Sequence, residues 1–187
     1  MVSPEDVISL YQLLTSQGIK VWILGGWGVD ALLGMQTRLH KDLDLLMLLD
    51  DVAWMCALLT AAGYELKEIW SENRWALDAR RLQTLTAFVL TDAARRELDF
   101  HAMRLDEQGN GIPAWEVEEG FIYTGHDLSG NGSIAGVEVR CITAEKQMLC
   151  HTGYDLPEKQ LPDLQKLHDR FGVMYPESHS LLRSEKG

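Results

Sequence analysis

The chain has 187 residues, 46% hydrophobic and 24% charged, which suits one folded domain and excludes a disordered chain. Its formal net charge of -11 argues against nucleic acid as a partner, which demands a basic face, and suits solubility and attraction of a cationic small molecule. Cys56, Cys141 and Cys150 lack the spacing of a disulfide framework or zinc site, and neither a signal-peptide start nor a membrane-length apolar run is present, so the cytoplasm is the default expectation.

Ser3, Pro4 and Asp6 predict a helix start, with Ser3 as N-cap and Asp6 at the capping-box position. Val7, Leu10, Leu13 and Leu14 continue it at helical spacing to Gly18. Residues 20–24 read as a short strand broken by Gly25-Gly26, then 27–33 as a helix stopped by Gly34, 35–41 as a basic loop and 42–49 as a strand. Asp50 and Asp51 are expected to cap a helix over 52–62. Strands are predicted at 64–70, 74–78, 82–90 and 97–104, a loop at 106–113, and further strands at 121–123 and 137–142, with Asn131-Gly132 as a hairpin signal. From about residue 143 the pattern turns helical, with Thr143 as a cap and a last helix opening at Leu161-Pro162-Asp163 and carrying Leu164, Leu167 and Phe171. The expected organisation is one domain over 1–175 and a flexible tail over 176–187.

Chemistry concentrates in two segments. Gly25-Gly26 ends a strand and precedes a helix, which permits close backbone approach to a ligand and aims free N–H groups at an anion such as phosphate. A plain change of chain direction explains that turn equally well. In Asp42-Leu43-Asp44-Leu45 the strand period of two places Asp42 and Asp44 on one face, and the apolar run that follows marks the strand as largely buried. Two such carboxylates need a compensating cation, and oxygen ligands alone suit Mg²⁺ or Mn²⁺. An exposed edge strand is the alternative. Asp99, between Leu98 and Phe100, is a candidate third ligand or the base that accepts a hydroxyl proton; a solvent-facing Asp fits the same pattern. Arg38 and His40 precede the acidic strand and are candidates for phosphate contact, or for a solvated loop and an ion pair with Asp42.

Together these parts fit in-line phosphoryl-group chemistry on a nucleoside triphosphate. The string Gly25-Gly26-Trp27-Gly28-Val29-Asp30-Ala31-Leu32-Leu33-Gly34, followed by Thr37-Arg38, His40 and Asp42-Leu43-Asp44, resembles the small antibiotic nucleotidyltransferases of the DNA polymerase β-like superfamily. It is most similar to the lincosamide type, then the aminoglycoside 2''-type; Arg140-Cys141-Ile142-Thr143 and the stretch from His151 to Leu156 favour the former. The resemblance implies an α/β (α+β) fold, a mixed sheet flanked by helices with a short helical C-terminal part. It implies Mg²⁺ (or Mn²⁺) on Asp42, Asp44 and Asp99, and Gly25, Gly26, Trp27, Asp30, Arg38 and His40 at the nucleotide. It further implies AMP transfer from ATP to a hydroxyl of a small, cationic antibiotic, releasing pyrophosphate and conferring resistance, by a monomer or homodimer. Trp27 stands where many superfamily members carry Ser, which removes a hydroxyl contact to phosphate. Lys146 is a candidate triphosphate contact or a surface residue.

Two rivals remain at this level. Gly26-Trp27-Gly28-Val29-Asp30-Ala31 also matches the G-x-G-x-x-A turn of dinucleotide-binding folds, although Asp42 and Asp44 would then interrupt an apolar parallel strand. A non-catalytic nucleotide-binding module is the other, and the complete acid pair argues against it.

Overall fold

The computed structural model describes residues 1–151 and 161–175. The expected tail and most of the 151–156 motif lie outside the described residues. Helix α1 (Pro4–Ser16) starts as predicted: Ser3 Oγ accepts from the Asp6 N–H at 3.2 Å, and Asp6 Oδ2 accepts from the Ser3 N–H at 2.9 Å. Strand β1 (Val21–Ile23) leads into α2 (Gly25–Leu33), which begins two residues earlier than the sequence suggests, so both glycines form its first turn. Gly34, in the left-handed region, closes it. Next come β2 (Asp42–Leu48), a 3₁₀ turn (Leu49–Asp51) and α3 (Val52–Ala61). Asp51 makes no side-chain cap, and Asp50 Oδ1 instead accepts from the Ala79 N–H at 2.8 Å.

Strands β3 (Glu65–Ile69), β4 (Ala76–Leu77), β5 (Gln83–Thr84), β6 (Ala87–Thr91) and β7 (Glu97–Leu105) match the strand-rich middle. The single strand expected over 82–90 is split because Asn73 Oδ1 captures the N–H groups of Thr86 and Ala87, at 2.8 and 3.2 Å. The segment read as a loop contains β8 (Gly111–Pro113), paired with β7, whereas Tyr123 makes only an isolated bridge to Gly111. Asn131-Gly132 is not the hairpin turn. It lies within β9 (Asn131–Ile134), where a side chain at Gly132 would collide with the Ala31 carbonyl of α2. The turn to β10 (Val137–Arg140) is Ala135-Gly136, both left-handed, at φ 49 and 78°. Helix α4 (Ala144–Leu149) is capped by Thr143, and α5 (Leu161–Phe171) buries Asp163, Leu164 and Leu167 while Phe171 stays exposed.

The main sheet runs β1-β2-β7-β6-β3, with β8 beside β7. Only β2 and β7 are parallel; the other pairs are antiparallel, which gives the expected mixed sheet. Leu43, Leu45, Leu98, Phe100, Phe88 and Leu90 point to one face and pack under α1 and α3 in the largest core cluster. On the other face Leu46 joins Trp22, Met103, Tyr123 and Ile142, while Asp42, Asp44 and Asp99 stand beyond that cover. Among the described residues, no helix is long and apolar enough to cross a membrane.

Candidate active site

Parallel pairing of β2 with β7 sets Asp44 beside Asp99 and Asp42 beside Glu97, so four carboxylates share one face of two adjacent strands. Their environments separate them. Lys41 and Lys67 each reach Glu97 at 2.9 Å; against the upward push of burial, these bonds hold its carboxyl below the usual range. Glu97 is therefore already neutralised. Asp44 is pushed up to about 8 by burial and then by the like charges of Asp99 and Asp42, with Arg38 pulling the other way. Asp99 is raised by burial, although His101 and a hydrogen bond from Trp70 Nε1 at 3.0 Å oppose the rise. Ionising Asp44 beside Asp99 thus places negative charge there that the protein alone does not compensate, and without a cation Asp44 keeps a proton.

Beside Asp44 the chain turns into α2. The Leu24 N–H donates to the Asp44 carbonyl at 3.0 Å, and Gly25 follows at φ 58°. A methyl group at Gly25 would overlap the Asp44 carboxylate, and one at Gly26 would overlap the His40 ring and press the Arg38 guanidinium. Both glycines are required because side chains converge on the start of the helix. Gln147 of α4 donates to the Gly25 carbonyl and so fixes the turn from the other side.

The loop between α2 and β2 is held by two buried carboxylates. Asp30, 1% exposed, accepts from the Thr37 N–H at 3.0 Å, from Thr37 Oγ1 at 2.6 Å and bonds His40 Nε2 at 2.5 Å. Asp163 of α5 accepts from Arg38 Nε at 2.8 Å and from Thr37 Oγ1 at 3.3 Å. Asp30 therefore positions the loop from inside, Trp27 is buried against His40 with ring centroids 4.7 Å apart, and Arg38 keeps an exposed edge above Gly26. Asp163 was legible only as a helix start, but a carboxylate sharing the buried stripe of Leu164 and Leu167 is the signal that marks it. Lys146 is not a surface residue, and its amine is taken up within the protein. It is buried, donates to the Ile122 carbonyl, and lies 4.0 Å from the Phe121 ring centroid and 3.7 Å from Asp127.

A cavity of about 110 Å³ adjoins the acids, lined by Asp42, Asp99, Trp70 and Val89 together with Lys41, Lys67, Glu68 and Glu97. Among the described residues, no three carboxylate, imidazole or thiol groups converge closely enough to hold a metal ion. The chemistry of the donor set still suits a hard divalent ion: Asp42, Asp44 and Asp99 offer only carboxylate oxygen, and Asp44 is raised first by burial and then by the like charges of the other two.

The antiparallel pairing of β1 with β2 excludes the dinucleotide-binding reading, which requires parallel strands around the glycine turn. Similarity to known proteins points to nucleotidyl transfer. The lincosamide resistance protein of Staphylococcus haemolyticus is 26% identical over 166 residues, 89% of this chain and 94% of that protein. The lincosamide antibiotic adenylyltransferase LnuA, solved with lincomycin bound, superposes with a TM-score of 0.72 at 26% identity, over 89% of this chain and 96% of that one. ANT(2'')-Ia in complex with adenylyl-2''-tobramycin shares the fold, with a TM-score of 0.63 at 19% identity over 89% and 87% of the two chains. The family model for aminoglycoside-2''-adenylyltransferase matches residues 6–167, which takes in the glycine turn, all three aspartates and Asp163, and the chain belongs to that adenylyltransferase family.

Proposed function

We propose that the protein transfers AMP from ATP to a hydroxyl of a small basic antibiotic, most readily a lincosamide, releasing pyrophosphate and conferring resistance in the cytoplasm. The register Asp44↔Asp99 carries this reading, because it puts the acids of two strands on one face next to the start of α2. The α2 N–H groups and the exposed edge of Arg38 receive the triphosphate. Asp42, Asp44 and Asp99 would hold magnesium, which would neutralise the charge that develops during the transfer. Asp99 takes the proton of the acceptor hydroxyl as its oxygen bonds to the α-phosphorus and the bond to pyrophosphate breaks. The family match favours an aminoglycoside as the second acceptor class.

Incubation with each nucleoside triphosphate, Mg²⁺ and a panel of both antibiotic classes, read by mass spectrometry, tests the reading. An adenylyl adduct on a lincosamide supports it, and no adduct on any acceptor refutes it. Asp99→Asn is expected to lower kcat by at least ~10²-fold. Asp163→Asn is expected to raise the KM for ATP about tenfold with a smaller change in kcat, because Arg38 loses its buried anchor. Steady-state kinetics check both.

A further inference from the structure

We propose that Glu72 and Trp115, beside His101, form an acceptor-selecting wall that recognises a protonated amine carried on a ring-shaped body. The inference rests on the adenylyl-transfer reading. It follows from how the ground around Asp99 is divided. The α2 start and Arg38 occupy the β1–β2 side, where the triphosphate and the departing pyrophosphate belong. In-line displacement then requires the acceptor oxygen to arrive from the opposite side, across β7.

Two approaches exist there along the exposed face of β7, which carries Glu97, Asp99 and His101 in succession. At the Glu97 end the carboxylate is already engaged by Lys41 and Lys67, and the adjoining cavity of about 110 Å³ is too small for a drug-sized molecule, which needs at least ~300 Å³. The two lysines would also repel a cation. At the His101 end no lysine among the described residues pairs with Glu72, which accepts from Ser71 Oγ at 3.2 Å. The Glu72 carboxylate lies 3.7 Å from His101 Nε2, and the Trp115 ring meets the His101 ring edge-on at 4.8 Å. The Glu116 N–H donates to the Glu72 carbonyl at 2.8 Å, so the two loops bearing the wall are tied together. Glu116 is paired with Arg74, and His101 lies between two carboxylates, with Asp99 3.4 Å from Nδ1 and Glu72 3.7 Å from Nε2, so Glu72 is the one that stands outside the three aspartates. An indole and a carboxylate on either side of one imidazole can attract an ammonium group by ring face and by charge, while the ring supplies apolar contact for the rest of the acceptor.

The test compares wild type, Glu72→Gln and Trp115→Leu with lincomycin, with tobramycin and with a neutral lincosamide analogue whose basic nitrogen is acylated. Each variant is expected to raise the KM for the cationic acceptor about tenfold, with the KM for ATP and kcat changing less than about threefold. Wild type should prefer the cationic acceptor over the acylated one by about tenfold, and Glu72→Gln should erase that preference. Thermal melts establish that both variants fold, and the half-exposed Glu72 is the safer substitution. If wild type modifies no acceptor, the adenylyl-transfer reading itself falls. If wild type is active and Glu72→Gln keeps both its acceptor KM within twofold and its preference for the cation, the wall is refuted. A parallel rise in the KM for ATP refutes it as well.

Discussion

Asp44→Asn is expected to abolish turnover and at the same time to make the metal-free protein more stable. The folded chain holds the Asp44 carboxyl at about 8 against an ordinary 3.8, through burial and the like charges of Asp99 and Asp42. The native state therefore keeps a proton that the unfolded chain surrenders. Stability is complete below about pH 4 and declines as the pH rises towards 8, the direction that linkage gives for a carboxyl whose folded value is raised. Full conversion of the shift would give on the order of 5 kcal/mol, and solvent screening of a half-buried group reduces this to about 2 kcal/mol. Asparagine removes the charge, so a gain of roughly 4–8 °C in Tm at pH 8 is expected. Scanning fluorimetry at pH 5 and pH 8, with and without MgCl₂, checks it: magnesium should stabilise wild type chiefly at pH 8 and leave the variant unmoved. Activity should fall by about 10³-fold or more, equivalent to roughly 4 kcal/mol of transition-state stabilisation. A variant with near-native turnover, or a wild-type Tm indifferent to pH and magnesium, would remove the electrostatic basis of the site.

The second large effect is expected at Gly25. Alanine there must adopt φ 58°, which costs about 1–2 kcal/mol. Its methyl group also falls on the Asp44 carboxylate. That carboxylate is the far end of a side chain and can rotate away, so the clash adds little to the loss of stability. On the proposed mechanism it is severe for function, because the displaced oxygen is one that would hold magnesium, and a misplacement of ~1 Å costs about 10²-fold. Gly25→Ala should therefore fold, melt a few degrees lower and lose at least ~10² in kcat/KM. Circular dichroism melts and steady-state assays separate the two effects.

Much of this site was legible in the sequence because it depends on local periodicity. Alternation alone put Asp42 and Asp44 on one face, and the same rule put Asp99 between two core residues of its own strand. That Asp44 faces Asp99 across a parallel pair is a fact of register between distant segments, which no local pattern encodes. The same limit hid Asp163, whose partner Arg38 lies at the other end of the chain, and Trp70, which reaches Asp99 from beyond β3. It also explains the misplaced hairpin. Asn131-Gly132 has turn chemistry, but the glycine is there to let the α2 backbone approach, and Ala135-Gly136 makes the bend. Asp30 and His40, expected at the nucleotide, are buried and bonded to each other, and Asp30 holds the loop that carries Arg38.

The two acidic strands are neighbours in space but are separated in sequence by everything from Leu49 to Arg96. That long excursion carries Trp70 to the third aspartate and Glu72 to His101, whereas the groups that fix Arg38 and the start of α2 lie before it and after β10. On the proposed reading, substitutions at the Glu72 end of this excursion can therefore alter one flank of the acceptor's approach and leave the glycine turn as it was. A lineage built this way can change the drug it inactivates without having to rebuild its chemistry.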